Sequence, residues 1–516
     1  MPRYAKEPVL LRRKPVAAIL AGIFSSAAIL APGAATGVPG PGAHARPAGL
    51  ASTPLGNLLT YDYDNGRSGD DAVGPHIASL SSKPAWDDNL DGADYGQPLV
   101  YQGTVYVATE NDTVYAVAAG SGAVRWSVHV GRPAHLSVVD DAPTLSSGCG
   151  DIDPLGITGT PVIDPGKSEL FAVEETEAGG SNNWAQIQHW LVAISLKTHR
   201  ELWHRQIDPP EPNRPGTYYI PAEQQRPAVT LFDGRLYVPF GGLNGDCGQY
   251  HGYVTDISES GTGAVGSYQV PTQREGAIWG AGGAMVSAQG DLYVVTGNGS
   301  SDNPAQFDEG DSVVELSTSL QRLGVWAPGN WVEDNEQDWD LGSASAVQVP
   351  GTSLLFVAGK GDGNDSLGYV MTEGHLGGVG RGAFTGHLCP NSGNPPDVYG
   401  ANATATLRSG LNAQIFVYAA CGSGTEAVLV TPSPPSFHDV WAPSSGSPNG
   451  PPIVAGGVVW ALDWDNNILY GMNPRTGNVL LTRNTENLDH FATPGAGDGM
   501  LLVPTQEGVE AFRAVE

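Results

Sequence analysis

Residues 112–126 read DTVYAVAAGSGAVRW, and residues 189–203 read HWLVAISLKTHRELW. In each, an apolar strand runs into a short turn and then into a second strand that ends on tryptophan. Alternating apolar and polar residues bounded by Gly, Asp and Asn are what half-buried antiparallel strands require. Just upstream stands a small or polar residue followed by an apolar-aromatic-apolar strand, GTVYV ending at Val107 and SELFA ending at Ala172. The pattern continues as GRLYV at Val238, GDLYV at Val294, SLLFV at Val357, AQIFV at Val417, GVVWA at Ala461 and GMLLV at Val503. The copies recur at roughly 42 to 66 residues, the size of one four-stranded propeller blade with variable loops. The predicted fold is therefore all-β: an eight-bladed β-propeller of four-stranded antiparallel blades.

The last copy leaves room for only about three strands before Glu516. The missing outer strand is expected from LSSKPAWDDNL, residues 80–90, where Trp86 resembles the tryptophan of the other blades. Pairing the two ends in this way closes the ring and removes open sheet edges. One domain is expected from Leu58 to Glu516, preceded by a flexible segment at 46–57. No stretch of the mature chain sustains a 3.6-residue period, and 70 glycines with 40 prolines favour many turns over long helices.

Residues 1–45 read as an export signal: Arg12, Arg13 and Lys14 precede an apolar run from Val16 to Ala31, and Ala43-His44-Ala45 offers a cleavage site. The run is too short and glycine-rich for a stable membrane span. A secreted or extracytoplasmic product cut near Ala45 is expected. Losing this segment, with five basic residues and one acidic residue, takes the formal charge from −29 to −33. Such acidity repels nucleic acid and anionic membranes and argues against both as partners. Cys149, Cys247, Cys389 and Cys421 allow three pairings. Cys149 with Cys247 and Cys389 with Cys421 is favoured, because each pair falls in neighbouring repeats. None lies in a CxxC or CxxCH run, which argues against a zinc ribbon and covalent haem.

The YAVAAGSGAVRW pattern resembles the tryptophan-docking repeat of pyrroloquinoline quinone (PQQ) dehydrogenases and related PQQ-like propellers. The resemblance implies a central cavity shared by PQQ and Ca2+. IWGAGGAMVSAQGDLYVVTGN (278–298) is similar to the family's tryptophan floor and following strand end, so Trp279 would stack on PQQ and Asn298 would ligate calcium. WDLGS resembles the segment carrying the catalytic base, here Asp340, which in the family often ligates calcium as well. VAGKGDGNDSLGYV is similar to the segment whose basic residue, here Lys360, contacts the quinone. FAVEETE falls where the family's calcium glutamate lies, and Glu174 or Glu177 would fill that role. Calcium wants oxygen ligands and polarises a quinone carbonyl, while a carboxylate takes the alcohol proton.

Two departures stand beside these matches. The family's vicinal Cys-Cys-Asp run is here Cys149-Gly150-Asp151, and its following arginine has no counterpart in IDPLGITG. EDNEQDWD before Leu341 has the composition of a calcium loop without EF-hand spacing, and reads as a solvated loop. His189, His251 and His375 have no partner at metal-ligand spacing. Two functions are implied. One is a PQQ- and calcium-dependent dehydrogenase of an alcohol or sugar-like substrate with a separate electron acceptor. The other is a non-catalytic propeller scaffold binding a protein or glycan.

Overall fold

The computed structural model describes residues 56–515 apart from 73, 141, 143–144, 146–147, 178–182, 210–219, 363, 391–395 and 444–446. The expected export signal and residues 46–55 lie outside the described residues. Eight antiparallel sheets stand in a ring, at residues 99–129, 162–206, 223–269, 285–326, 347–388, 403–441, 453–484 and 495–515, here blades 1 to 8. Each of the eight sequence copies falls in the second strand of its blade, from Thr104–Thr109 in blade 1 to Met500–Thr505 in blade 8. These strands are the core: Thr104–Thr109, Leu354–Ala358 and Val458–Asp463 are buried at every residue. The outer strands alternate instead, as Val124–His129 and Val479–Asn484 do, because only one of their faces meets a neighbouring blade.

Tryptophan links one blade to the next. Trp86 Nε1 donates to the Ala119 carbonyl at 2.7 Å, and its indole covers Gly122, where a Cβ would come within 2.9 Å of the ring. Gly122 also has φ +76, so both space and backbone demand glycine in the GSG turn. Trp203 covers Gly261 and Trp441 covers Gly477 in the same manner.

Closure occurs where the sequence places it. Trp86–Asn89 pairs antiparallel with Gly508–Val515, Trp86 opposite Ala511 and Asn89 opposite Gly508, and Ser79–Leu80 extends the same edge. The segment before it, residues 58–71, does something the sequence did not announce: it crosses the central shaft and bonds to every blade. Leu58 exchanges backbone hydrogen bonds with Val100 of blade 1, and the Leu59 carbonyl accepts from Ile163 of blade 2. Asn65 Nδ2 donates to the Leu231 carbonyl of blade 3, while the Asn65, Gly66, Ser68 and Gly69 carbonyls accept from Val286, Gln348, Thr404 and Val454 of blades 4 to 7. The Tyr63 hydroxyl meets Ala496 of blade 8.

Arg67 anchors this plug. It is buried, and its guanidinium donates to Thr60 Oγ1, the Tyr61 carbonyl and Thr230 Oγ1. Burial pulls the guanidinium down to about 10 against the opposing pull of Asp62 and Asp64.

Among the described residues, helix departs from expectation at Leu136–Val139, a single turn, and at a longer segment. Trp331–Gln337, inside the stretch read as a solvated loop, forms two turns, with Glu333 and Asp334 in its first turn and Trp331 buried. Acids there complement the helix dipole, and seven residues are too few to print a 3.6-residue period on the sequence.

Arg67→Ala removes the plug's buried cation and its three hydrogen bonds. It should lower stability by about 3 to 5 kcal/mol, read as an earlier midpoint in chemical denaturation. An unchanged midpoint would mean that the plug does not hold the ring.

Candidate active site in the central cavity

A cavity of about 260 Å³ is lined by residues from several blades, including Trp279, Asp340, Lys360, Tyr399 and Phe491. Trp279 comes from the loop before blade 4, and Asn298 from the end of that blade's second strand, Leu292–Val295. Asp340 stands at the start of the short turn Leu341–Ser343, and Lys360 follows the strand Leu354–Ala358. Backbone contact brings these segments together. A Cβ at Gly297 would come within 2.5 Å of Asp340 Oδ1 and 3.3 Å of Trp279 Nε1, so the TGN strand end can lie against both only because residue 297 has none. The Lys360 amide then donates to the Asp340 carbonyl at 2.9 Å.

Four of the residues singled out in sequence thus meet. The Asn298 backbone amide donates to Asp340 Oδ1 at 2.7 Å, and Lys360 Nζ donates to Asp340 Oδ2 at 2.6 Å and to Asp338 Oδ1 at 2.9 Å. The ammonium also lies 5.6 Å from the Trp279 ring centroid, within cation–π range. Burial disfavours the Lys360 charge, but Asp340 and Asp338 outweigh it and hold the ammonium well above its usual value. Asn298 Nδ2 donates to Asp338 Oδ1 at 3.1 Å, which leaves its buried Oδ1 without a partner. Phe491 and Tyr399 wall the cavity beside Trp279, with ring centroids 5.9 and 6.5 Å from the indole.

Other functional groups were not legible in the sequence. Asp246 faces the same cavity and accepts from the Tyr250 hydroxyl at 2.6 Å. Burial first, and then repulsion from Asp340, raises its carboxyl above the ordinary range. Nearby Glu275 is pushed up to about 7 by burial, against Arg274 and with Asp246 and Asp340 adding to it. Arg226 reaches in from the start of blade 3, 3.5 Å from Asp151 and 3.3 Å from His490 Nε2. The signal that could have found Asp246 is the run GGLNGDCGQY directly after a blade's second strand, the same position that yields Asn298 in blade 4.

The cysteines pair as favoured, Cys149 with Cys247 and Cys389 with Cys421. The first bridge ties two cavity-lining loops together. Gly150 donates to the Asn244 carbonyl and Asn244 Nδ2 to Asp151 Oδ2, at 2.9 and 3.0 Å.

Glu174 and Glu177 do not line this cavity. Both are buried in the strand Glu169–Glu177 of blade 2 rather than solvated, with Glu174 beside His204 and Glu177 beside Arg132. His189 is equally buried, between Asp208 at 2.8 Å and Glu175 at 3.4 Å, which together overcome burial and raise its imidazole to about 10.

The donor set fits a hard cation and an anionic aromatic ligand. Asn298 Oδ1 is an unpartnered buried oxygen, with Asp340 bound to its amide and Asp246 on the same cavity. Lys360 and Arg226 supply positive charge around an indole floor. Among the described residues, no three acid, His or Cys ligand atoms of this cavity lie within 4.8 Å of one another.

Comparisons with known proteins agree on the architecture. The family model described as outer membrane protein assembly factor BamB matches residues 76–311. A polyvinylalcohol dehydrogenase of Sphingopyxis sp. (strain 113P3) is 22% identical over 291 residues, 51% of this chain and 38% of that protein. The match thus spans about two fifths of the relative's length. A quinohemoprotein alcohol dehydrogenase from Pseudomonas putida HK5 superposes with a TM-score of 0.62 at 14% identity, covering 89% of this chain and 80% of its own. One from Comamonas testosteroni gives 0.61 at 15%, covering 90% and 81%. The chain is an eight-bladed β-propeller with a central cavity. Within that class, it has the PQQ-like fold of the quinoprotein alcohol dehydrogenases.

The buried acids set a pH dependence. Burial raises Glu110 to about 8, so the native state keeps a proton that the unfolded chain, with a glutamate near 4.3, has released. His189, raised to about 10, likewise contributes stability below its unfolded value near 6.5 that fades as pH rises through about 10. Both signs agree. Stability should be higher at pH about 5 than at about 8, by at least about 2 kcal/mol, measured by denaturant titration. A maximum at alkaline pH would contradict the buried placement of these groups.

Proposed function

We propose that this chain is an extracytoplasmic quinoprotein dehydrogenase whose cavity takes PQQ and a calcium ion and oxidises an alcohol or sugar-like substrate. The observation that carries this reading is the meeting of Trp279, Asp340 and Lys360 in one cavity, with Asn298 hydrogen-bonded to Asp340 and Asp338 of its lining. When bound, the quinone and its metal supply the acceptor for hydride from the substrate carbon.

The chain's own residues do the remaining work. Trp279 offers an aromatic floor, and Tyr399 and Phe491 exclude water beside it. Asn298 Oδ1 and Asp340 would hold the metal, with Asp246 as a further oxygen donor. Lys360, held as a cation between Asp338 and Asp340, orients the Asp340 carboxyl group, which would accept a hydroxyl proton. Lys360 and Arg226 would balance the negative charge of a quinone carboxylate or reduced oxygen. The dehydrogenase relatives support this chemistry, and a separate partner would take the electrons.

Two disulfides suit an oxidising compartment, and no helix among the described residues is long and apolar enough to cross a membrane. The description of the matching family model favours a second reading, a propeller scaffold for another protein.

Adding PQQ and calcium chloride to the purified chain separates the two. Retained quinone absorbance after gel filtration, with alcohol-dependent dye reduction, is the expected result. Trp279→Ala and Asn298→Ala should each weaken quinone binding at least about tenfold. A chain that retains no quinone, or variants that bind it as well as the parent, would favour the scaffold.

A further inference from the structure

A second group of buried acids lies outside the central cavity, where blade 1 meets blade 2. Asp112, in the turn between Thr104–Thr109 and Thr113–Ala118, is fully buried, and neither of its carboxylate oxygens has a partner. Glu174, fully buried in Glu169–Glu177, faces the same space. Gly131 marks that space: a Cβ there would collide with Glu174 Oε2 and lie 3.1 Å from Asp112 Oδ2. His204 Nε2 sits 2.7 Å from Glu174 Oε1, held by Trp190, whose ring crosses the imidazole edge-on at 4.5 Å. The histidine therefore engages one oxygen of Glu174 and leaves Oε2 on the side of Asp112.

Two carboxylates taken out of water side by side need a positive charge or a proton between them. We infer that Asp112 and Glu174 bind a calcium-like divalent cation at the junction of blades 1 and 2, separate from the central cavity. Oxygen donors select a hard cation, and the His204 nitrogen beside them is already committed to Glu174. No third acid, His or Cys among the described residues completes the sphere, so backbone carbonyls and water do. Without a cation, burial and then the charge of Glu174 push the Asp112 carboxyl well above the carboxylate range, and a shared proton would take its place. The cation joins two blades across a turn and would make their contact sensitive to chelators.

This inference is independent of quinone binding, and the test keeps the two apart by working in an Asn298→Ala chain, whose cavity site has lost its amide oxygen. The chelator-treated full-length protein is dialysed against calcium chloride, and bound calcium and thermal midpoint are measured. About one calcium per chain should remain bound and raise the midpoint, and adding Asp112→Asn or Glu174→Gln should weaken that binding at least about tenfold. Calcium binding that survives both substitutions would overturn the assignment. So would an Asn298→Ala chain that binds no calcium, and a midpoint raised by Asp112→Asn alone would then identify a shared proton.

Discussion

Everything in this molecule depends on how the ring is held shut. Eight sheets arranged around an axis have no intrinsic reason to stop at a closed circle, and an open one would expose two edges. Here the start of the described chain closes it twice. Trp86–Asn89 supplies the outer strand that blade 8 lacks, and residues 58–71 cross the shaft with hydrogen bonds to the innermost strand of each blade. The second device links all eight blades through one short segment, so displacement of any blade strains the same peptide. Arg67, buried with its two terminal nitrogens bonded to Thr60, Tyr61 and Thr230, fixes that segment's path.

The cavity inherits its precision from this frame. Trp279, Asn298, Asp340 and Lys360 come from loops of adjacent blades, and each is set by a contact that requires the blades at fixed spacing. Gly297 lets the strand end approach Asp340, and the Cys149–Cys247 bridge pins the opposite wall that carries Asp151 and Asp246. Lys360 is the electrostatic centre. Its ammonium is the counter-charge that allows Asp338 and Asp340 to share a confined space, and it lies over the indole where an aromatic ligand would stack. The vicinal cysteine lid of the dehydrogenases is absent, since Cys149 is spent on this wall, and Phe491 and Tyr399 crowd the indole instead.

Much of the fold was legible because strands print their period locally. All eight second strands, the closing role of Trp86 and both disulfides could be read from spacing alone. The plug could not, because YDYDNGRSG has no alternation and its bonds run to distant strands, from its backbone carbonyls to blades 4 to 7 and from the Asn65 and Tyr63 side chains to blades 3 and 8. The helix Trp331–Gln337 was too short to show a period. In the site, Trp279, Asn298, Asp340 and Lys360 carried recognisable flanks, whereas Asp246 and Arg226 sit in loops whose direction is set only by tertiary contact. Glu174 was placed by motif order but faces a neighbouring blade, a distinction that depends on which side of a strand a residue occupies and that a buried strand end does not reveal.

Native-state hydrogen exchange tests the central claim, that one segment threading the shaft makes the ring a single cooperative body. The amides of Val286, Gln348, Thr404 and Val454, which donate to residues 65, 66, 68 and 69, should exchange only through global unfolding, at the rate of the deepest strands such as Val458–Asp463. Exchange of these four amides at loop rates, while the blade strands stay protected, would contradict it.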